Sequence, residues 1–205
     1  MATRGKNVVV KADGLAAGKG AIVTSSVEEA DQAIDWCMVE KKFGDAGNVV
    51  VIEERLAGPE LSILAITDGK KIVILPPSQD HKPIGEGDTG LNTGGMGAYS
   101  PVPIVNNDLL ALVRRTILEP TIHGMQQEGK PYTGVLYAGL MLTDLGPYVI
   151  EFNCRFGDPE TQAVLPAMGE DLLPLLEASA RGTMQKDDDL KAKKHAICVI
   201  MASGG

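Results

Sequence analysis

The sequence is poor in aromatic residues, in basic residues relative to acidic ones, and in long apolar runs. Aromatic residues make up 4% of the 205 residues, and 19 Lys and Arg stand against 27 Asp and Glu, giving a formal net charge of −8. Few stacking rings and a negative charge predict that the chain does not bind nucleic acid. No apolar run approaches the roughly 20 residues of a membrane-spanning helix, so we expect no membrane partner.

Cysteine is also scarce, and its positions carry no pattern. Cys37, Cys154 and Cys198 form neither a CxxC pair nor a Cys/His metal spacing. An odd, scattered set of thiols is typical of a reducing compartment, and the first residues contain no apolar signal segment. We therefore expect a cytoplasmic protein.

Short strand patterns alternate with amphipathic helix patterns along the chain. Two hairpins are predicted, one across Asp68-Gly69 and one across residues 144–146. Ser/Glu capping boxes at 25/28 and 26/29 begin the first helix, and Pro120 is expected to kink or divide the second. The fold class is α+β with antiparallel sheets. The predicted strands are 8–10, 21–24, 49–52, 61–67, 71–75, 135–142, 148–152 and 196–201, and the predicted helices are 25–43, 108–127 and 171–181.

The ends of the chain contain strand patterns with no obvious partner. Residues 8–10 and 196–201 are both apolar and β-branched, and a strand needs neighbours for its backbone groups. Residues 185–194 are charged and lack apolar anchors, which predicts a linker. We expect the sequence to be part of a longer protein.

Glycine, at 24 residues, is concentrated in two segments. The first is KADGLAAGKG at 11–20, which lies between two predicted strands. A glycine loop with a lysine can fold over phosphates, although this one fits neither a Walker A nor a GxGxxG pattern. The alternative is a simple glycine hairpin. The second segment, 76–104, is long, polar and almost without periodicity, so it is either a functional loop or a surface Ω-loop.

Two further segments carry candidate ligands. Glu151 and Asn153 alternate at the end of a predicted strand, so their oxygens share one face and suit a hard cation such as Mg²⁺. The alternative is a pair of solvated polar residues. Residues 53–60 connect two predicted strands and are either a hinge between two lobes or a plain connecting turn.

In this order, these segments resemble the ATP-grasp superfamily, and within it phosphoribosylamine–glycine ligase (glycinamide ribonucleotide synthetase). The matching blocks are KADGLAAGKG at 11–20, SQDHK at 78–82, NTGGMGAY at 92–99 and EFNCRFGDPE at 151–160. The resemblance implies two lobes of antiparallel sheets flanked by helices, with ATP held between them. It also implies that ATP and Mg²⁺, or Mn²⁺, activate glycine as glycyl phosphate, which the amine of 5-phosphoribosylamine then attacks in purine biosynthesis.

The resemblance also implies roles for individual residues. Lys11, Gly14, Gly18, Lys19 and Gly20 would contact the ATP phosphates. Glu53, Glu54, Arg55 and Leu56 would hold adenine, and Glu60 would bind the ribose hydroxyls. Glu151 and Asn153 would bind the metal, and Arg155 would stabilise the transferred phosphoryl group. Asp80 would hold the glycine ammonium, while Lys82 and Asn92 would face the nucleotide and acceptor.

The implied domains are a lid subdomain at 1–55, a central subdomain at 56–184, and a linker with the first strand of a further domain at 185–205. Residues 137–141, on the strand before the metal pair, lack the acid that many ATP-grasp enzymes carry there. The resemblance also implies a preceding N-terminal domain that helps to bind phosphoribosylamine, so we expect little turnover by these 205 residues alone. The alternatives are another ATP-grasp carboxylate–amine ligase and a nucleotide-binding segment without turnover.

Overall fold

A computed structural model describes residues 7–16, 20–87, 89–185 and 187–203, with no account of the side chains of residues 91 and 92. The chain divides into two compact units, Met1–Ala57 and Gly58–Gly205. The subdomain boundaries predicted from the sequence, at 55 and 184, stay predictions.

The first unit is a three-stranded antiparallel sheet covered by a helix. Its strands are β1 (Val8–Ala12), β2 (Ala21–Val23) and β3 (Val50–Glu54), in the order β2-β1-β3. Val8 and Val10 alternate along β1 and pack against the helix α1 (Val27–Met38). A 3₁₀ helix (Gly44–Asn48) precedes β3.

Helix α1 is shorter than predicted, although its capping residue is confirmed. The Ser26 side chain accepts a hydrogen bond from the Glu29 backbone N–H, and Glu29 in turn accepts from the Ser25 backbone N–H at 2.7 Å. The predicted end at Phe43 is wrong. Lys41 adopts a left-handed conformation (φ 54°), and Phe43 turns back to pack against the same core.

The second unit contains a four-stranded antiparallel sheet in the order β11-β10-β4-β5. The strands are β4 (Glu60–Thr67), β5 (Ile72–Ile74), β10 (Gly134–Thr143) and β11 (Gly146–Asn153). Both predicted hairpins are confirmed by the β4–β5 and β10–β11 pairings. In the first turn, the Asp68 carboxylate accepts from the backbone N–H groups of Lys70 and Lys71, and Gly69 has a φ of 89°.

Helices cover both faces of this sheet. One face of β4, which includes Leu61 and Ile63, packs against α2 (Asn107–Val113), a π-helical turn (Arg114–Leu118) and α3 (Glu119–Gln127). The other face, which includes Leu64 and Ile66, packs against α4 (Glu160–Met168) and α5 (Leu173–Arg181). Among the described residues, no helix is long and apolar enough to cross a membrane.

The helix predictions for this unit are partly confirmed. Helical residues cover the whole of the predicted 108–127 helix, but the π-helical turn divides it just before Pro120. Pro120 lies in the first turn of α3. Helix α5 ends at Gly182, which has a left-handed φ of 67°, as predicted. Helix α4, which has nine residues and contains Pro166, was not predicted.

The prediction that residues 76–104 lack regular structure is wrong. The segment contains β6 (Gln79–Asp80), β7 (Pro83–Gly85), β8 (Thr89–Asn92) and β9 (Gly97–Ser100). β7 pairs with β8, and β9 pairs with both β6 and β12 (Ala196–Val199). Strands of two to four residues are too short to show a period of two, and β12 is about 100 residues away from β9 in sequence, so no local pattern predicts this sheet.

The charged segment before β12 is anchored to the edge of the four-stranded sheet. The carboxylates of Asp187 and Asp189 accept from the backbone N–H groups of Ile72 and Ile74, both at 3.1 Å. Arg114 pairs with both aspartates and donates to the carbonyl of Ile72. The interpretation that this stretch lacks apolar anchors is wrong, because Leu190 packs against the core beside β5, and the aspartates add polar anchors. A further domain beginning near residue 185 stays a prediction.

Replacing Arg114 with Ala is expected to destabilise the chain by about 1–3 kcal/mol, because the exposed Asp187, the half-buried Asp189 and a strand-edge carbonyl lose a charged donor. Urea unfolding monitored by circular dichroism measures the change. Arg115→Ala is the matched control, since Arg115 is the exposed neighbour in the same turn. Equal unfolding midpoints for the two variants would show that the segment is not held by this ion-pair network.

Candidate functional site

The glycine loop of the first unit is closed at its base by backbone contacts. The Ala12 N–H donates to the Gly20 carbonyl at 2.9 Å, and the Gly14 N–H donates to Ala46 at 3.1 Å. A Cβ on Gly14 would lie 2.6 Å from Ala46 Cα, so only glycine allows this approach. Gly18 and Lys19 lie outside the described residues.

The predicted phosphate lysine and the predicted adenine segment lie side by side. Lys11 is on β1 and Glu53 on the neighbouring β3, and their charged atoms are 2.6 Å apart. Glu54 ends β3, and Leu56 follows it half-buried. The guanidinium of Arg55 donates to the Thr24 carbonyl and to the Ser25 hydroxyl. The Arg55 side chain therefore holds the entry to α1.

In the second unit, one face of the sheet is apolar at one end and polar at the other. Along β4, Ile66 and Leu64 pack into the core on this face, whereas Ser62 and Glu60 continue the same stripe with polar groups. The register places Ser62 opposite Gly139 of β10, and Gly139 opposite Glu151 of β11. The polar end of the stripe thus crosses three strands.

The predicted metal ligands lie together on β11. The Asn153 amide nitrogen donates to Glu151 Oε1 at 3.2 Å, so the amide oxygen and the carboxylate stay on the same side of the strand. A Cβ on Gly139 would lie only 3.3 Å from Glu151 Cγ, so this position favours a residue without a side chain. Two oxygen donors suit Mg²⁺ or Mn²⁺ but do not complete its coordination. Within 7–16, 20–87, 89–185 and 187–203, no group of three or more His, Cys, Asp or Glu could hold a metal.

The side chains of Asp80, Lys82 and Glu60 form a charged cluster in the second unit, beside the polar end of the β4 stripe. The Lys82 ammonium is 2.6 Å from Glu60 Oε2 and 3.9 Å from Asp80 Oδ2. Burial raises the pKa of Asp80 to about 6 against the opposing effect of Lys82, and the carboxylates of Glu160 and Glu60 raise it further. Burial lowers the pKa of Lys82, but the carboxylates of Asp80, Glu60 and Glu151 outweigh it, and the net shift is upward.

A buried hydrogen-bonded network adjoins this cluster. Tyr137 of β10 donates to Glu160 Oε1 at 2.6 Å, and the Ser62 hydroxyl donates to the same oxygen at 3.2 Å. Burial and the Glu160 carboxylate raise the pKa of Tyr137. Glu160 begins α4 and is 2% exposed, and its carboxylate fills the space that a side chain on Gly157 would need.

Sequence reasoning did not assign a role to Ser62, Ser78, Tyr137 or Glu160. Glu160 ends the EFNCRFGDPE block, but a carboxylate in a turn-forming stretch is expected to be exposed. The signal that could have identified Ser62 is its position as a polar residue inside the apolar run of β4.

Of the predicted site residues in the second unit, Arg155 and Asn92 are assigned neither to the charged cluster nor to the metal pair. The Arg155 guanidinium donates to the carbonyl of Phe156 at 2.9 Å, and the residue is exposed. Asn92 ends β8, with its backbone paired to Pro83, but its side chain is not among those described.

The arrangement is that of an ATP-grasp protein. The biotin carboxylase domain of Hydrogenobacter thermophilus 2-oxoglutarate carboxylase, solved with MgADP, ADP and bicarbonate, matches 94% of this chain and 41% of its own. Its TM-score is 0.64 at 15% identity, which establishes the shared fold.

Closer matches identify the family. The model of the phosphoribosylglycinamide synthetase ATP-grasp (A) domain matches residues 1–161, so the chain belongs to this family. Phosphoribosylamine–glycine ligase of Rhodopirellula baltica is 55% identical over 97% of this chain and 46% of its own length. The crystal structure of phosphoribosylamine–glycine ligase from Thermotoga maritima has a TM-score of 0.84 at 37% identity, over 94% of this chain and 48% of its own. The chain thus spans less than half the length of these relatives.

Stability is expected to depend on pH through Asp80. Because the folded-state pKa is near 6 and the ordinary value is 3.8, the folded chain binds the extra proton between these values. Stability should therefore fall by on the order of 2–3 kcal/mol as the pH rises from about 4 to above 6.

Asp80→Asn removes this charge, so it should be more stable than wild type at pH 7.5, with the difference shrinking toward pH 4. Urea unfolding at a series of pH values measures both. Asp144→Asn, on the exposed turn of the β10–β11 hairpin, is the control. If Asp80→Asn lowers stability equally at all pH values, the Asp80 carboxylate is not destabilised by its surroundings.

Proposed function

We propose that the chain is the ATP-binding, glycine-activating core of a phosphoribosylamine–glycine ligase. The observation that supports this proposal is the proximity of an oxygen pair, Glu151 and Asn153, to a partly buried acid–lysine cluster in the second unit, in a chain that matches the family model over residues 1–161. Glycine and 5-phosphoribosylamine are proposed as the substrates because the relatives are named phosphoribosylamine–glycine ligase.

The proposed reaction makes the glycine carboxylate electrophilic enough for an amine to attack it. A carboxylate repels nucleophiles and offers no good leaving group. In the first step a glycine carboxylate oxygen attacks the γ-phosphorus of ATP, the bond to the β-phosphate oxygen breaks, and ADP leaves. In the second, the amine of phosphoribosylamine attacks the acyl carbon, phosphate leaves with the carbon–oxygen electron pair, and the nitrogen loses a proton. The protein supplies positioning and charge neutralisation.

The residue roles that we propose in the first unit come from the family resemblance and agree with its contacts. We assign Lys11 to the ATP phosphates, with the backbone of the loop from Gly14 to Gly20 as the cover over them. The backbone of residues 53–56 is assigned to adenine, because the side chains of Glu53 and Arg55 already pair with Lys11, Thr24 and Ser25.

The residue roles that we propose in the second unit also come from the family resemblance. Glu60 is assigned to the ribose hydroxyls through Oε1, since Oε2 pairs with Lys82. Asp80 is assigned to the glycine ammonium, and Lys82 and Asn92 to the nucleotide and acceptor side. Arg155 is assigned to the transferred phosphoryl group, which its exposed guanidinium is free to approach by leaving the Phe156 carbonyl.

Glu151 and Asn153 would hold Mg²⁺ or Mn²⁺, which supplies charge neutralisation at phosphate oxygens when bound. The two donors fit such an ion when phosphate oxygens and water complete its coordination. The proposal also places the protein in the cytoplasm, where Cys37, Cys154 and Cys198 persist as free thiols.

ATP binding that requires Mg²⁺ is the direct test of this function. Isothermal titration of the 205-residue chain with ATP should detect binding with Mg²⁺ and little without it. Lys11→Ala should weaken that binding about tenfold or more, because a charged hydrogen bond to phosphate is lost. Lys70→Ala, on the exposed turn of the β4–β5 hairpin, should bind as wild type. Absence of any ATP binding with Mg²⁺ would refute the proposal.

The metal pair is tested by the dependence of ATP affinity on the divalent ion. Glu151→Gln removes a charged ligand while keeping the shape of the side chain, so the gain in affinity from Mg²⁺ or Mn²⁺ should largely disappear. Asp144→Asn, at the other end of the same hairpin, should keep the wild-type gain. An undiminished gain in Glu151→Gln would place the ion on other residues.

A further inference from the structure

The first residue of β4, Glu60, lies where one edge of that strand loses its backbone partner. The Ser62 N–H donates to the Ser78 carbonyl at 2.8 Å, and the Ser78 N–H donates to the Ser62 carbonyl at 3.1 Å. Backbone groups two residues apart in a strand point to the same edge, so the Glu60 carbonyl points to this edge as well. In the described part of the chain, β6, which follows Ser78, pairs with β9 rather than with β4.

A side chain takes the place of the missing strand. The Nε2 amide of Gln79, the first residue of β6, donates to the Glu60 carbonyl at 2.8 Å. Tyr99 of β9 lies opposite Gln79 in the register and donates its hydroxyl hydrogen to Gln79 Oε1. A carbonyl oxygen can only accept, so these two partners allow a single orientation of the amide. A chain of hydrogen bonds therefore joins Tyr99 to the backbone of Glu60.

The opposite edge of the same segment is held by β10. Glu60 pairs with Met141 in the antiparallel register, and the Pro59 carbonyl accepts from the Leu142 N–H at 2.9 Å. The start of β4 is thus held on one side by a strand and on the other by the amide of Gln79.

The carboxylate of Glu60 is held at its far end by a charge. Its Oε2 is 2.6 Å from the Lys82 ammonium, and the side chain is 36% exposed. Hydrogen bonds weaken steeply with distance and angle, so a carboxylate that accepts from two adjacent hydroxyls needs a fixed Cα as well as a fixed side chain. Lys82 fixes the carboxylate, while β10 and Gln79 fix the backbone.

We propose that Gln79, oriented by Tyr99, is a positioning residue for nucleotide recognition, which holds the Glu60 backbone where the carboxylate can accept from the ribose hydroxyls. This inference rests on the proposed function, in which Glu60 binds the ribose. It adds two residues that act through Glu60 and make no contact with the nucleotide themselves. Loss of the Gln79 amide should therefore affect the recognition of the ribose hydroxyls and leave the binding of adenine and phosphates in place.

The test compares ATP with 2′,3′-dideoxy-ATP, in which hydrogen replaces both ribose hydroxyls. Each nucleotide is titrated calorimetrically into the 205-residue chain with Mg²⁺. Wild type should bind ATP about tenfold or more tightly than the dideoxy nucleotide, because hydrogen bonds to a carboxylate are lost. Gln79→Met, which keeps the length of the side chain and removes the amide, should weaken ATP binding about three- to tenfold and leave the dideoxy nucleotide unaffected.

Two further variants follow the chain of contacts. Tyr99→Phe keeps the ring that packs on the apolar core and removes the hydroxyl, so it should cause a smaller loss of the same kind. In a double-mutant cycle, adding Gln79→Met to Glu60→Gln should weaken ATP binding no further, because the group that Gln79 positions is already altered. Gln127→Met, on the exposed last turn of α3, is the matched control and should bind both nucleotides as wild type.

The ratio of the two affinities separates positioning from a structural role. A merely structural loss in Gln79→Met would weaken ATP and the dideoxy nucleotide by the same factor, and that result would overturn the inference. So would a further loss of ATP affinity in the double variant, since Gln79 would then act by a route other than Glu60. If Gln79→Met does not fold, an unchanged ratio in Tyr99→Phe has the same meaning.

The wild-type chain distinguishes this inference from the function on which it rests. Equal affinity of wild type for ATP and the dideoxy nucleotide would defeat the inference and leave the ATP-binding core in place. Failure of wild type to bind either nucleotide with Mg²⁺ would defeat the proposed function.

Discussion

The pairing of β10 with β4 on one side and β11 on the other is the constraint on which the candidate site depends. Its register places Ser62, Gly139 and Glu151 in one row across three strands. A slip of one residue in β4 or β11 would send Ser62 or Glu151 to the opposite face, which packs against α2 and α3. The apolar packing on both faces therefore stabilises this register, and the register fixes the positions of the site residues.

The same sheet explains how charged groups are retained in a largely buried region. The stripe along β4 changes from the apolar core residues Ile66 and Leu64 to the buried but polar Ser62 and the half-buried Glu60. At this boundary Asp80 and Glu160 are buried, and Lys82 compensates only part of their charge. Such an arrangement is costly for the folded chain, and it suits a site that binds positively charged or metal-bound groups.

Several parts of the fold could be predicted because their signals are local. The Asp68-Gly69 turn, the Ser26 cap and Gly182 each act within a few residues, and all are observed in their predicted places. Other parts depend on distant partners. The strands between 79 and 100 owe their pairing in part to β12, and the polar anchors Asp187 and Asp189 have partners more than 70 residues away. Judged only by their glycine content and charge, these two segments would be predicted as loops.

The sequence by itself determined the class of fold, the two hairpins, and the adjacency of Glu151 and Asn153, since alternation along one strand requires no other part of the chain. Tertiary structure decided that Asp80 lies near Glu160 and that Tyr137 and Ser62 hold this glutamate, because those residues come from four separate elements. Burial decided the rest. A carboxylate has no fixed chemical character in a sequence, and only its packed surroundings set its pKa, its partners and the charge it needs from a ligand.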